Sequence, residues 1–209
     1  MTQMKKIAFL ASGKGTNAEN LIKEIQAGRI PGAEAEVVIC DRPGAGVIER
    51  AGKLGVELKV IDRSKCKSKS EFEAAIKHEL DDRKIDFVAL AGFMRILSCD
   101  FVRHFAGRIV NIHPSLLPAF PGAHAIRDAF EAKVTETGVT VHFVDEGVDT
   151  GPVILQKKVK VDLKDTLELL ETKIHAVEYE VYPEALRSVI SGKVRMPLHH
   201  RDDEFWTND

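Results

Sequence analysis

Asn111 and His113 are an amide and an imidazole two residues apart, in the stretch Asn111-Ile112-His113-Pro114-Ser115-Leu116-Leu117-Pro118 at the end of an apolar run. Side chains two apart on a β-strand share a face, so the pair can aim at one small polar atom in an otherwise apolar site. Such a geometry suits a carbonyl oxygen that gains negative charge when its carbon is attacked. The bland alternative is a turn-shaping asparagine beside a hydrogen-bonded structural histidine. Asp149 offers a partner from the acidic turn Asp145-Glu146-Gly147-Val148-Asp149-Thr150-Gly151-Pro152. That turn is either simply solvated or reaches over the carboxyl ends of a parallel sheet, the usual ligand crevice of open α/β folds. Near His113, Asp149 would favour the imidazolium and could relay a proton through water.

A second chemical feature is the loop Ser12-Gly13-Lys14-Gly15-Thr16-Asn17-Ala18, between a strand and a helical stretch. Glycines there let the backbone approach a ligand, and free amides at a helix start attract an anion. The spacing also fits Gly-x-Gly-x-x-Ala with Asp41 at the end of the next strand, so a dinucleotide site is an alternative. An ordinary βα turn in which Asn17 caps the helix is another. The longer spacing and Gly-Lys-Ser/Thr ending of a Walker loop are missing. No nucleophile elbow is present, and Ser115 reads as a turn-stabilising hydroxyl rather than a nucleophile. His124, His142, His199 and His200 lack metal-ligand spacing, so no metal is expected.

These groups need a scaffold. Apolar runs of strand length recur at residues 7–11, 37–40, 56–61, 87–91 and 109–112, with helical spacing between most of them, as at 17–27 and 71–80. The alternation predicts an α/β, Rossmann-like three-layer fold around a mostly parallel sheet. Residues 138–144 and 152–161 instead alternate apolar and polar, which predicts an antiparallel carboxyl-terminal addition. Residues 163–190 are helical in period, with a kink or interruption expected at Tyr182-Pro183, and 195–209 form a polar tail. With 209 residues, 44% hydrophobic and 30% charged, the chain supports a well-buried core and one domain. A formal net charge of -2 gives no global reason to expect nucleic acid or an acidic membrane surface as partner. Cys40, Cys66 and Cys99 are odd in number and contain no Cys-x-x-Cys, which argues against a disulfide framework and for a reducing cytoplasm. The polar amino terminus and the lack of about 18 consecutive apolar residues predict a soluble, non-exported protein.

Taken together, Ser12 to Asn17, Ala91-Gly92-Phe93-Met94-Arg95-Ile96-Leu97, Asn111 to Pro118 and Val148-Asp149-Thr150-Gly151-Pro152 resemble, in order and separation, the folate-dependent phosphoribosylglycinamide formyltransferase family. The resemblance covers nearly the whole chain. It implies a single domain over 1–209, with a mononucleotide-binding half at about 1–100 and a folate-binding, catalytic half at about 101–209. It further implies that Gly13, Gly15, Thr16, Asn17 and Pro114 bind the ribonucleotide substrate and that Glu178 contacts its sugar. Met94, Arg95, Ile96, Leu97, Asp145, Glu146 and Val148 would line the folate pocket, though 93–97 could equally be core packing. Asn111, His113 and Asp149 match the catalytic trio. The implied co-substrate is 10-formyltetrahydrofolate, the implied partners are these small molecules alone, and a monomer or homodimer is expected. Residues 130–137 carry no assignable role.

Rival readings remain at this stage. A formyltetrahydrofolate hydrolase would be expected to carry an added amino-terminal regulatory domain, and a methionyl-tRNA formyltransferase an added nucleic-acid-binding domain. A nicotinamide-dependent dehydrogenase, or a non-catalytic nucleotide-binding module, would use the glycine loop but leave Asn111, His113 and Asp149 without a purpose.

Overall fold

Residues 7–11 are wholly buried, as a strand must be when helices cover both its faces. The computed structural model describes residues 3–197. The chain runs β1 (Lys5–Ala11), α1 (Thr16–Gln26), β2 (Ala33–Cys40), α2 (Gly46–Lys53), β3 (Glu57–Val60), α3 (Lys69–Asp82), β4 (Phe87–Leu90), α4 (Cys99–His104), β5 (Ile109–His113), α5 (Ala125–Glu131), β6 (Glu136–Phe143), β7 (Val153–Lys160) and α6 (Leu167–Ile190), with a 3₁₀ turn at Arg63–Lys65. The seven strands form one sheet in the order β3-β2-β1-β4-β5-β6-β7. Pairing is parallel from β3 to β5 and antiparallel through β6 and β7, which is the fold expected from the sequence. His199, His200 and most of the polar tail lie outside the described residues.

One core packs Phe9, Leu21, Ile22, Val110 and Leu186 beneath α1 and α6. The other packs Leu10, Ile39, Phe72, Ile76 and Phe101 beneath α3 and α4. The edge strand β7 carries Lys157, Lys158 and Lys160, charges that discourage another strand from pairing there. Residues 130–137, without a role in the sequence, finish α5 and open β6.

The chain reverses direction across the sheet between β1 and β4. Ser12 N donates to Gly92 O at 3.0 Å, and Ser12 Oγ accepts from Met94 N at 2.9 Å, so the loops after these strands are stitched together at the switch point. Behind it, the buried Tyr182 hydroxyl lies 3.0 Å from both Leu90 O and Val110 O and ties α6 to β4 and β5.

The interruption expected at Tyr182-Pro183 does not occur: α6, 24 residues in all, runs unbroken through Pro183. Proline removes the N–H that would serve the carbonyl four residues back. That carbonyl, Tyr179 O, accepts from Asn20 Nδ2 of α1 at 2.9 Å instead.

Candidate active site

Asn111 and His113 sit on β5 opposite His142 and Thr140 of β6. By register, β6 leaves the sheet beside the start of β5, where Val144 N donates to Ile109 O. The β6–β7 connection must therefore double back to reach His113. Gly151 permits this, because a Cβ there would lie 1.8 Å from Phe143 O. Asp149, in the left-handed conformation at φ 56, is delivered to the face of β5, a backbone state that cores hold only where surroundings enforce it. Its Oδ2 accepts from Gly122 N at 2.8 Å and lies 3.4 Å from His113 Nδ1. The sequence trio is thus one cluster in space.

Two features of the cluster were not assigned from the sequence. His113 Nε2 donates to Phe120 O at 2.8 Å, so both ring nitrogens already face protein groups. An oxyanion can take the Nε2–H only by displacing the Phe120 carbonyl. His142, which the sequence places on one strand face with Thr140 and without metal-ligand spacing, joins the cluster. Its Nδ1 is 2.7 Å from Phe143 O, its Nε2 is 3.3 Å from Asn111 Nδ2, and Asp149 Oδ1 lies 3.7 Å away. Burial holds its pKa below the usual histidine value, overriding the Phe143 hydrogen bond and the charge of Asp149. A neutral ring donating from Nδ1 leaves Nε2 to accept one Asn111 N–H. The other Asn111 N–H stays available. The period-two alternation of β6 was the available signal, since it puts His142 on one face with Thr140.

The loop after β5 is held from below. Thr140 Oγ1 donates to Ser115 O at 2.7 Å and accepts from Leu117 N at 3.1 Å, while Ser115 Oγ donates to Ala119 O at 2.5 Å. Ser115 is the turn hydroxyl the sequence suggested, and Pro114 is half-buried beside it.

At the glycine loop, Gly15 has φ +75, and a Cβ on it would lie 2.4 Å from Val47 of α2. Gly15, not Asn17, is the residue that opens α1, and no side chain caps the helix. Gly13 meets nothing within 4 Å and leaves open space above the loop. A cleft of about 210 Å³ lies beside it, lined by Lys14, Glu19, Gly46, Glu49, Arg50 and Lys53. Thr16 is half-buried. Asn17 Nδ2 donates to Glu178 Oε2 at 3.0 Å, and Glu178 also holds His175. Two residues 161 apart in sequence, assigned to one ligand, therefore meet.

The expected folate wall divides by chemistry. Met94, Ile96 and Val148 are exposed apolar side chains, whereas Phe93 is buried and Leu97 packs against the α3–α4 core. Arg95 Nε donates to Asp41 Oδ2 at 2.7 Å, which strips Asp41 of the role a dinucleotide ribose would require. Asp145 accepts from Gly147 N and Thr150 Oγ1, and Glu146 pairs with Arg103 of α4 at 2.7 Å. These acids shape and anchor the loop. Among the described residues no group of three or more His, Cys, Asp or Glu side chains comes together as a metal site, and no helix is long and apolar enough to cross a membrane.

The Formyl transferase family model matches residues 5–186. The chain is 42% identical over 187 residues to phosphoribosylglycinamide formyltransferase of Bacillus subtilis (strain 168), covering 90% of this chain and 95% of that one. It is 41% identical to part of the human trifunctional purine biosynthetic protein adenosine-3, covering 91% of this chain but 19% of that protein. Among solved structures, glycinamide ribonucleotide transformylase 1 of Geobacillus kaustophilus superposes with a TM-score of 0.87 at 48% identity, covering 90% of this chain and 100% of the other.

Proposed function

Since the chain belongs to the formyl transferase family, we propose that it transfers a formyl group from 10-formyltetrahydrofolate to the glycyl amine of 5'-phosphoribosylglycinamide, a step of purine synthesis. The observation that carries the mechanism is the convergence of Asn111, His113 and Asp149 on one face of β5, with Asp149 Oδ2 3.4 Å from His113 Nδ1. The amine attacks the formyl carbon directly, so no enzyme nucleophile is required. As the new C–N bond forms, the carbonyl electron pair moves to oxygen, where Asn111 Nδ2–H and protonated His113 meet it. His113 exchanges Phe120 O for this oxyanion. Asp149 pairs with the imidazolium and, through water, takes the amine proton and returns it to the folate nitrogen that leaves with the C–N electron pair.

In this reading the phosphate lies on the uncapped amides of α1 near Gly13, Gly15, Thr16 and Asn17, with Glu178 towards the sugar and Pro114 beside the reacting end. Met94, Ile96 and Val148 offer apolar surface to the pterin, Arg95 and Leu97 fix their loop, and Asp145 and Glu146 hold the opposing one. The chain works on small molecules in the cytoplasm, as a monomer or homodimer. Its two halves share one sheet and act as a single domain.

An assay of formyl-folate consumption with and without glycinamide ribonucleotide tests the reaction. Consumption must depend on the ribonucleotide; equal consumption without it would indicate a hydrolase. Asp149→Asn tests the mechanism, because it preserves shape but removes the charge and the basic oxygen. Turnover is expected to fall about 10²–10⁴-fold, the range for a positioned proton carrier, while the ribonucleotide still binds. Near-normal turnover would remove Asp149 from the chemistry.

A further inference from the structure

The short helix α4 is tied at each end to one of the two loops assigned to folate. Leu97, the last residue of the first loop, leads through Ser98 into α4. There it meets Glu73 of α3, which is 7% exposed and has no part in the proposed chemistry. Glu73 Oε1 accepts from Ser98 N at 2.8 Å, and Oε2 accepts from Ser98 Oγ. Ser98 Oγ in turn accepts from Phe101 N at 3.2 Å and caps the helix. At the other end, Arg103 Nε and Nη2 donate to Glu146 Oε1 and Oε2 of the second loop, both at 2.7 Å. This parallel fork is the geometry in which an exposed ion pair holds its partner in place. Leu97 and Val144, which border the two loops, pack against the same core that buries Phe101.

We propose that α4 is a strut that fixes the separation of the two folate walls, with Glu73 and Arg103 as its positioning residues. This rests on the assignment of residues 94–97 and 145–148 as those walls. A six-residue helix is about 9 Å long and does not stretch, so clamping both of its ends sets the width of the cleft between Met94 or Ile96 and Val148. Glu146 precedes Asp149 by three residues, so the same link limits how far Asp149 can move from His113. Without Arg103 the second wall moves away and apolar contact with the pterin is lost. The phosphate loop lies at the start of α1, which packs with α6 on the other core, and is left as it was.

Calorimetric binding of tetrahydrofolate and, separately, of glycinamide ribonucleotide to the whole chain tests this. Arg103→Ala is expected to weaken tetrahydrofolate about two- to fivefold at low salt, the scale of a well-formed exposed pair, and to leave the ribonucleotide unchanged. Added salt should shrink that ratio towards one, because it screens the wild-type pair. Arg103→Glu should be worse than Arg103→Ala, since like charges then face each other. Combining Arg103→Glu with Glu146→Arg should restore affinity to within about twofold of the wild type, because the pair is reformed with its charges exchanged. At the inner end, Glu73→Ala should weaken tetrahydrofolate selectively, whereas Glu73→Gln, which still accepts from Ser98 N, should not. The Arg103 series decides even where Glu73→Ala does not fold. Unchanged tetrahydrofolate affinity in Arg103→Ala, equal loss for both ligands, or a charge exchange no better than Arg103→Glu alone would overturn the strut. A wild type that binds no tetrahydrofolate would overturn the assignment of the folate walls themselves.

Discussion

The proposed reactive centre concentrates its demands on four side chains, three of them fixed by the β5–β6 pair of the sheet. His113→Ala is expected to lower kcat about 10²–10⁴-fold, and Asn111→Ala about 10²–10³-fold, the ranges for a positioned acid and an oxyanion donor. Steady-state kinetics with both substrates checks this, and KM values should move far less than kcat. His142 acts through Asn111, so His142→Phe, which keeps a ring but removes the acceptor, should lower kcat about tenfold or more by freeing the Asn111 amide to rotate. Its signature is pH. The folded pKa of His142 lies below the usual histidine value, so the unfolded chain binds more protons in the interval between the two. The stability present above about pH 6.5 is lost as pH falls through the folded value. Thermal midpoints followed through that window should fall more in the wild type than in His142→Phe, which has no such group to titrate. Identical slopes would mean that His142 is not held neutral.

At the scale of elements, α6 shows how a helix tolerates an internal proline. Tyr179 O loses its helical donor at Pro183 and gains Asn20 Nδ2 at 2.9 Å. Asn20→Ala should cost about 0.5–1 kcal/mol, a typical net hydrogen bond with a partly solvated acceptor. In a Pro183→Ala background the restored N–H serves Tyr179 O, so the same substitution should cost little. A double-mutant cycle by chemical denaturation reads the coupling; additive effects would show that Asn20 and Pro183 are unrelated. The contact also fixes α6 against α1, the two elements that carry Glu178 and Asn17.

At the scale of the molecule, the halves assigned to ribonucleotide and folate share one sheet and are expected to unfold together. Tyr182 lies between Leu90 O of β4 and Val110 O of β5, across the boundary near residue 100. Burial pushes its hydroxyl well above the usual phenol range, which keeps it a neutral donor. Tyr182→Phe should destabilise the chain by about 1–3 kcal/mol, the cost of leaving a buried polar group unsatisfied. Unfolding should remain one transition, with far- and near-ultraviolet circular dichroism coincident. Two resolved transitions would mean that the halves fold independently.

Much of this was written along the chain. Strand and helix order followed from apolar runs and their spacing, because burial on both faces of a parallel sheet leaves a continuous apolar signature, and one-sided burial leaves alternation. Asn111 and His113 were legible as a pair because the pleat of a strand is a local rule. Asp149 was legible only as a candidate: it lies 36 residues from His113 in numbering, and only the doubling back of the β6–β7 connection over Gly151 brings it to 3.4 Å. The hydrogen bond from Asn111 to His142, the Phe120 carbonyl that occupies His113, the Arg95–Asp41 pair and the meeting of Asn17 with His175 at Glu178 could not be read from the sequence as contacts. Each is a contact between distant segments, set by strand register and helix packing, and those are decided by how the whole core closes.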